Sequence, residues 1–362
     1  MTRVGYVGLD HHHCEPYLRS LEQLPVEVTC ACESDRSFDP ESVGLAADVP
    51  VYASTEELLE REAVDVLWVT LSNADTPGVL ETAVDHGVDV FAEKPAARTA
   101  ADLDPVVDAV AESDVTVGVS YPWRGHPIAA ELRERAESGF FGSVRAFDAR
   151  YVASSLSYRD TDHYLFDASA SRGGILQWLG VHWVDLVPWM LDDPIVRVNA
   201  KTETGTGEVD VEDGAVLLLE TASGAIGTLH AGYYLREDRY ATRVDVFGTE
   251  GTAEWDPVGR TFGFDGETTL DLEQVHGGWS TPRRQVVHEY SAVDGYGGEW
   301  GLDYMEQFLD ARRGRAPVPA DLRDAQNVLR VLDAVYESAE TDAWVDVERP
   351  DPTERSAERV GQ

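Results

Sequence analysis

The chain has 362 residues, of which 43% are hydrophobic, so it is long enough to bury a sizeable core and to form two domains. Its formal net charge of −38, from 67 acidic and 29 basic residues, argues against a general nucleic-acid binder, because phosphate binding needs a basic surface. No apolar run approaches the ~20 residues of a membrane span, and the start lacks the regions of a signal peptide. We therefore expect a cytoplasmic protein with no nucleic-acid or membrane partner.

The acidic composition resembles that of proteins from salt-loving archaea. Concentrated salt, with a Debye length of about 3 Å at 1 M, would screen the self-repulsion of such a chain. Only two basic residues are lysines, Lys94 and Lys201, so each needs an explanation. The three cysteines, Cys14, Cys30 and Cys32, are odd in number, and we expect buried, reduced thiols.

The first third of the chain alternates short β-rich runs with amphipathic helical patterns. Ser54 and Glu57 form a predicted capping box, Pro77 suits a first helical turn, and Gly87 suits a helix end. The predicted strands are 3–8, 26–32, 64–70, 88–92 and 115–121. Repeated strand–helix–strand units predict an α/β domain with a doubly wound parallel sheet, whose ligands bind beyond the carboxyl ends of the strands.

After residue 121 the pattern changes. Helices are predicted around 127–138 and from about 176 to 190, with a strand around 144–152 and a polar loop between them. Further strands are predicted near 195–203, 213–220, 225–234, 240–248 and 251–256. Their close spacing predicts a large, mostly antiparallel open sheet in an α+β domain, closed by two late helices. We expect domains at 1–122 and 123–347, followed by a flexible acidic tail at 348–362.

The turn after the first predicted strand reads GLDHHHC, where dinucleotide-binding folds carry several glycines. Gly8 would let the backbone approach a pyrophosphate, and the helix that follows would direct its amides at that charge. Asp10 would repel this ligand, unless it points away or donors from His11 to His13 offset its charge. A metal site formed by the three histidines and Cys14 is the alternative, but consecutive residues rarely converge on one ion, so we predict no metal.

Two charged residues end predicted strands. Glu33 stands 25 residues after Gly8, near the spacing of the acid that binds an adenosine ribose, and favours NAD, although Arg36 keeps NADP possible. Lys94, in FAEKP, would point its ammonium into the ligand crevice, where it could stabilise an alkoxide or relay a proton. The alternatives are an ordinary surface acid and a surface lysine before a helix.

Trp178 and His182 stand at positions i and i+4 of a predicted helix that follows paired glycines. An imidazole is the natural acid or base near neutral pH, and an aromatic neighbour could pack against a sugar. The alternative is that both belong to the core. We expect His230, in a predicted strand of the antiparallel sheet, to be structural. Asp162, His163 and Tyr164 could reach the pocket from the polar loop, or be solvated loop residues.

In their order and spacing, these motifs resemble the Gfo/Idh/MocA oxidoreductases, named for glucose-fructose oxidoreductase, inositol dehydrogenase and a rhizopine-catabolism protein. The likeness spans residues 3 to about 346. It rests on the turn at Gly8, on Glu33, on EKP at 93–95, on YPWRGHP at 121–127 and on GG…LG.H..D at 173–185.

The resemblance implies a Rossmann-type NAD(P)-binding domain and hydride transfer between the nicotinamide and a sugar, a polyol or a related secondary alcohol. Lys94 would lie near the nicotinamide and substrate, and His182 would accept the proton. The implied cofactor-binding residues are Gly8, Leu9, Asp10, His11, Glu33, Thr70, Ser72, Asn73, Glu93, Lys94 and Tyr121. The implied substrate-binding residues are Lys94, Arg124, His163, Tyr164, Trp178 and His182. The open sheet would form a homodimer or homotetramer.

The chain departs from the family pattern at several positions. Asp10 replaces the second glycine, His13 replaces glycine or alanine, and Trp178 replaces a carboxylate four residues before His182. The segment TLSNADTP, residues 70–77, also differs from the usual ThrPro pair. These departures leave two alternatives: a lyase or glycosidase that oxidises its substrate transiently, or a non-catalytic nucleotide-binding regulator or partner subunit. Retention of both Lys94 and His182 favours the enzyme.

Overall fold

The computed structural model describes residues 1–205, 209–259, 266–275, 283–290 and 293–348. The strands are β1 (Thr2–Val7), β2 (Val26–Cys32), β3 (Val51–Tyr52), β4 (Val66–Val69), β5 (Asp89–Ala92), β6 (Val117–Val119), β7 (Val144–Ser154), β8 (Ile195–Glu203), β9 (Gly214–Thr221), β10 (Ile226–Leu235), β11 (Ala241–Gly248), β12 (Gly251–Trp255), β13 (Gly266–Gln274), β14 (Arg283–Tyr290) and β15 (Val345–Asp346). The helices are α1 (Cys14–Leu21), α2 (Thr55–Arg61), α3 (Thr76–Asp85), α4 (Asp104–Ala111), α5 (Pro127–Glu137), α6 (Ala168–Ser171), α7 (Val181–Leu191), α8 (Gly298–Ala311) and α9 (Leu322–Thr341). The tail predicted at 348–362 lies outside the described residues, apart from residue 348.

The first six strands form one parallel sheet in the order β3-β2-β1-β4-β5-β6. This is the doubly wound order, in which the crevice for ligands opens between β1 and β4, where the strand order reverses. The five predicted strands are confirmed, with bounds that differ by up to two residues. The side chain of Ser54 accepts a hydrogen bond from the Glu57 amide at the start of α2, which is one of the two hydrogen bonds of the predicted capping box.

The second sheet has nine strands in the order β14-β13-β12-β11-β7-β10-β9-β8-β15. Within this second sheet, β7 and β10 form the one parallel pair among the described strands, so the prediction of a mostly antiparallel sheet is confirmed. The strands β13, β14 and β15 were not predicted. A π-helical turn, Leu176–Gly180, precedes α7 where a single helix was predicted.

The two late helices pack against different sheets. Phe308 of α8 contacts Trp68 and Phe91 of the first sheet, and a Cβ on Gly118 of β6 would lie 2.6 Å from its ring. Ser338 of α9 accepts a hydrogen bond from the Ala200 amide of β8. Because α8 shares a core with strands that precede it by about 200 residues, the domain boundaries at 122 and 347 stay predictions.

The state of the cysteines and the lack of a membrane span were both expected from the sequence. Cys14, Cys30 and Cys32 are buried free thiols, as expected, and burial raises the pKa of Cys14 to about 12 and that of Cys30 to about 11. Among the described helices, none combines the length and the apolar composition that crossing a bilayer requires.

Candidate active site

The glycine turn lies at the reversal point of the first sheet. Gly8 follows β1 with a φ of 91°, and a Cβ there would lie 2.1 Å from the carbonyl oxygen of Thr70, which follows β4. The Thr70 hydroxyl donates a hydrogen bond of 2.7 Å to the Gly8 carbonyl. A residue with a side chain would therefore separate β1 from β4, so glycine is required here.

Glu33, immediately after β2, holds this turn. Its Oε2 accepts hydrogen bonds from the amides of Leu9 (2.9 Å) and Asp10 (3.2 Å), and its Oε1 accepts one from the Asp35 amide (3.0 Å). A carboxylate has about four acceptor sites, so one remains for a ribose hydroxyl. Glu33 thus occupies the position that the sequence predicts, and it also fixes the loop.

The backbone of the turn fits a dinucleotide, but the negative charge of Asp10 in the turn does not. Within the part of the chain that the structure describes, the amides of His11 and His12 make no hydrogen bond, so both are available to phosphate oxygens. Asp10 is exposed beside them. Burial and the carboxylates of Glu33 and Asp35 raise the pKa of Asp10, which reports several like charges close together. The residues present therefore fit the cofactor, with a cost at Asp10.

The histidines of the turn make hydrogen bonds within the turn, between His13 and His11, and to the polar loop, from His11 and His12. The His13 amide donates to His11 Nδ1 (3.0 Å), so His11 Nε2 carries the proton and donates to the Tyr164 hydroxyl (3.0 Å). His12 Nδ1 lies 3.3 Å from His163 Nε2. Burial lowers the pKa of each of these rings, that of His163 to about 4, so they are neutral near pH 7.

The histidines also bear on the predicted absence of a metal. One ligating atom from each of His11, His12 and His13 lies within 4.8 Å of the others, so the expectation that consecutive residues would not converge is wrong. Both nitrogens of His11 already have partners, however, and His13 Nδ1 faces Glu93 Oε2 at 3.4 Å. These contacts favour a hydrogen-bonded cluster over an ion site.

Lys94 is buried at the end of β5 rather than exposed before a helix. Its Nζ donates a hydrogen bond of 2.9 Å to the Trp178 carbonyl and lies 4.2 Å from the centroid of the Trp178 ring. Burial lowers the pKa of Lys94 to about 8, although the Glu93 carboxylate, 3.8 Å from Nζ, acts in the opposite direction. Lys94 is therefore charged at neutral pH and loses its charge just above it.

Glu93 is the buried counter-charge of this centre. The Tyr17 hydroxyl donates to its Oε2 at 2.7 Å, and His13 Nδ1 lies 3.4 Å from the same oxygen. Burial alone would raise the pKa of Glu93, but His13 and Lys94 outweigh it and hold the pKa near 2. Glu93 is therefore ionised, and its carboxylate lies close both to His13 of the glycine turn and to Lys94.

His182 reaches the same place from α7. The side chain is buried, and burial together with the charge of Lys94 lowers its pKa well below the usual value, so the ring is neutral. Nothing in the described part of the chain hydrogen-bonds its Nδ1. Trp178 stands where a carboxylate could have oriented this nitrogen, and its ring packs over Lys94 instead.

These side chains meet in a cavity of about 370 Å³ between the two sheets. Lys94, Trp178 and His182 line it together, with His12 and His13 at the side of the glycine turn. The rest of its described wall is largely aromatic and comes from distant segments: Trp123, Tyr151, Tyr240, Tyr296 and Trp300, together with Arg159. A small cavity with apolar walls and a few convergent polar groups is typical of a small-molecule site.

Comparison with known proteins identifies the family. Residues 2–121 match the oxidoreductase family with an NAD-binding Rossmann fold, and residues 129–254 match the GFO/IDH/MocA C-terminal domain. This chain belongs to the Gfo/Idh/MocA oxidoreductases. It is 26% identical over 348 residues to D-xylose 1-dehydrogenase (NADP(+)) 2 of Haloferax volcanii, which covers 95% of this chain and 98% of that protein. It is 24% identical over 326 residues to levoglucosan dehydrogenase of Pseudarthrobacter phenanthrenivorans, covering 80% and 82%.

The fold likeness extends over the whole of this oxidoreductase. The solved structure of a levoglucosan dehydrogenase in complex with NADH and levoglucosan superposes with a TM-score of 0.82 at 20% identity. The match covers 96% of this chain and 100% of that one. The family assignment makes the chain an oxidoreductase with an NAD-binding Rossmann fold, and the superposition shows that the likeness of fold extends to the second sheet.

One predicted substrate residue lies away from the cavity. The Arg124 guanidinium is bound by Asp185, with Nε 3.0 Å from Oδ2, and by Asp324, with Nη1 2.9 Å from Oδ2. It lines a separate cavity of about 550 Å³ beside Trp189. Arg124 is therefore a structural ion-pair residue, and the prediction that it contacts substrate is wrong for this oxidoreductase.

Several other residues predicted to bind the cofactor or the substrate do not line the cavity. Asn73 donates to the Ser171 carbonyl (2.9 Å), and the Ser72 hydroxyl donates to Asp75 at the start of α3 (2.6 Å). Tyr121 is buried outside the cavity wall, and its hydroxyl has no hydrogen-bond partner among the described residues. His163 and Tyr164 contact the glycine turn rather than lining the cavity.

Sequence reasoning missed several residues of the wall. Tyr296 and Trp300 precede or begin α8, more than 100 residues after His182, and no local pattern connects them to it. Arg159 lies in the polar loop, where an arginine of an acidic chain is expected to be solvated. The one available signal was the cluster of aromatic and charged residues around 151–164.

Proposed function

We propose that this oxidoreductase transfers hydride between NAD, or NADP, and a secondary alcohol of a sugar or polyol, with Lys94 and His182 as its catalytic residues. The observation that carries the proposal is that these two side chains, one just after β5 and the other on α7, line one cavity beside the glycine turn. Relatives named as dehydrogenases of D-xylose and of levoglucosan support a sugar as the substrate.

The protonation states of the two residues set their roles. Neutral His182 can accept the proton of the substrate hydroxyl as hydride leaves the carbon. The Lys94 ammonium, charged below its pKa of about 8, can stabilise the alkoxide that develops there. Trp178 fixes Lys94 through its carbonyl and ring and closes one wall against water. When bound, the nicotinamide supplies the hydride acceptor.

The cofactor would be held by the turn and by Glu33. The amides of His11 and His12 would bind the pyrophosphate, and Glu33 would accept a hydrogen bond from the adenosine ribose. We infer a preference for NAD, because a 2′-phosphate would meet the carboxylates of Glu33 and Asp35. Exposed Arg36 is the nearest basic residue in sequence that could reduce this preference.

Cofactor binding and turnover test the proposal together. NADH and NADPH are titrated by energy transfer from tryptophan in about 1 M KCl, where charge repulsion is screened, and sugars and polyols are assayed by formation of NADH. His182→Ala should lower turnover about 10² to 10⁴-fold and leave NADH affinity nearly unchanged. Lys94→Ala should also abolish turnover, and His86→Ala, directly after α3 and outside the lining of the cavity, is the control. Binding of neither cofactor, or turnover that survives both substitutions, would refute the proposal.

We also infer that the chain forms a homo-oligomer through the outer face of the second sheet. Val216 and Leu218 of β9 and Ile226 at the start of β10 are 47%, 44% and 63% exposed. Neighbouring exposed apolar side chains are typical of an interface. Light scattering should show a dimer or tetramer that Leu218→Lys weakens; a monomer at all concentrations would contradict the inference.

A further inference from the structure

The cavity has a charge opposite to that of the chain as a whole. Acidic residues account for 67 of 362 positions, yet none of the described residues that line the cavity is acidic. Two lining side chains, Lys94 and Arg159, carry a positive charge at neutral pH. The lining histidines are neutral there, because burial lowers their pKa values. A cationic site in a protein of net charge −38 indicates that the ligand supplies the missing negative charge.

Arg159 is the cation whose charge is not compensated. The ammonium of Lys94 already faces the Glu93 carboxylate at 3.8 Å. Arg159, by contrast, forms no ion pair within the ranges that the structure describes. The neighbouring Asp160 is exposed, and its charge acts on Asp10 and His163 at the glycine turn.

The guanidinium of Arg159 is held in a fixed orientation. Its Nε donates to the Ser154 carbonyl (3.2 Å), its Nη2 lies 3.4 Å from the Ser154 hydroxyl, and its plane packs 4.5 Å from the centroid of the Tyr233 ring. Its Nη1 makes no hydrogen bond to any described residue. Arginine presents donors in a planar fork that matches a carboxylate, so Arg159 is already oriented for one.

We propose that the substrate is a monosaccharide acid, a uronate or an aldonate, whose carboxylate binds Arg159 while its reacting hydroxyl faces Lys94 and His182. A cavity of about 370 Å³ is near the lower end of small-molecule sites, which are about 300 to 1,000 Å³, and fits one sugar unit rather than an oligosaccharide. The aromatic wall, including Trp123 and Trp300, offers flat surfaces for the C–H face of the ring. The inference rests on the proposed function only in taking the hydroxyl that faces Lys94 and His182 to be the one that reacts.

Matched pairs of sugars test the proposal. D-Glucose is compared with D-glucuronate and D-gluconate, and D-galactose with D-galacturonate and D-galactonate, as kcat/KM with NAD in about 1 M KCl. A hydrogen bond to a charged group in a cavity should favour the acids about ten- to a hundredfold over their neutral partners. Arg159→Gln should lower kcat/KM with the acids by about that factor and so remove the preference, and Arg159→Lys should retain part of it.

Arg145→Gln is the matched control, because it removes the same charge from the exposed side of β7, outside the cavity. It should leave the preference for acids unchanged. The proposal is overturned if the neutral sugar equals or exceeds its acids in both series, or if the preference persists in Arg159→Gln.

A binding measurement separates this inference from the proposed function. Three tryptophans, Trp123, Trp178 and Trp300, line the cavity, so ligand binding should perturb tryptophan fluorescence without any turnover. If no sugar is oxidised but sugar acids bind in a manner that depends on Arg159, the proposed function fails and the inference stands. If neutral sugars are oxidised through Lys94 and His182 with no preference for acids, and acids bind no more tightly, the inference fails and the proposed function stands.

Discussion

Replacing Glu93 by Gln should convert Lys94 from an ammonium to a free amine at neutral pH. The two side chains are each 2% exposed, and Lys94 Nζ lies 3.8 Å from Glu93 Oε1. At an effective dielectric constant of about 20, a pair of unit charges at this separation interacts by about 4 kcal/mol, which corresponds to about a thousandfold in a protonation equilibrium. Because Glu93 favours the charged lysine, its loss lowers a pKa that burial has already reduced to about 8.

The composition makes this shift directly measurable. The chain contains only two lysines, so NMR of isotopically labelled lysine should show two side-chain signals, and the exposed Lys201 provides the internal reference. In the wild type the Lys94 signal should titrate near pH 8. In Glu93→Gln it should already report the free amine at neutral pH, and turnover there should fall about 10² to 10³-fold, as when an oxyanion donor is removed.

Asp89→Asn is the control, since it removes a carboxylate from the opposite end of the same strand, where Asp89 pairs with Arg312. It should leave the titration of Lys94 unchanged. If Lys94 titrates at the same pH in Glu93→Gln as in the wild type, the electrostatic coupling argued from this geometry is wrong.

Three further substitutions, one of them with a control substitution, test the turn and the buried ion pair. Asp10→Gly should tighten NADH binding severalfold in the fluorescence titration, and an unchanged Kd would show that the carboxylate points away from the phosphates. Gly8→Ala should lower the free energy of unfolding in urea by at least about 1 to 3 kcal/mol from backbone strain alone. Its control is Gly78→Ala, at an exposed position of α3 with no atom within 4 Å of the added Cβ, which should raise that free energy by about 0.5 to 1 kcal/mol. Equal effects of the two substitutions would contradict the requirement for glycine in the turn. Arg124→Met should cost about 3 kcal/mol or more, because Asp185 loses its buried partner. A raised KM with unchanged stability would instead return Arg124 to the substrate site.

The first sheet could be predicted from the sequence because its strands are short apolar runs, separated by helices with clear ends. β4, for example, is buried at all four positions and reads as a continuous apolar run. β3 has only two residues, too few to form a pattern, and the π-helical turn before α7 has no local signature in the sequence. β13 was missed because its charged and threonine-rich sequence, GETTLDLEQ, does not indicate a strand by itself, and the strand lies between β12 and β14.

The centre of the site was predictable and its surroundings were not. Lys94 and His182 were identified from strand position, residue type and family motif, all of which are local. The ion pairs of Arg124 with Asp185 and Asp324 join residues 61 and 200 positions apart, so no sequence pattern revealed that its charge was already neutralised. The same applies to His11, whose hydrogen bond to Tyr164 spans 153 positions and exists only because the polar loop packs on the glycine turn.

A crystal structure of the complex with NADH and an unreactive sugar acid tests the central claim most directly. We expect the nicotinamide ring in the cavity of about 370 Å³, with the hydroxyl at the reacting carbon within about 2.6 to 3.2 Å of both Lys94 Nζ and a nitrogen of the His182 ring. A nicotinamide outside this cavity, or a hydroxyl that contacts neither side chain, would contradict the account.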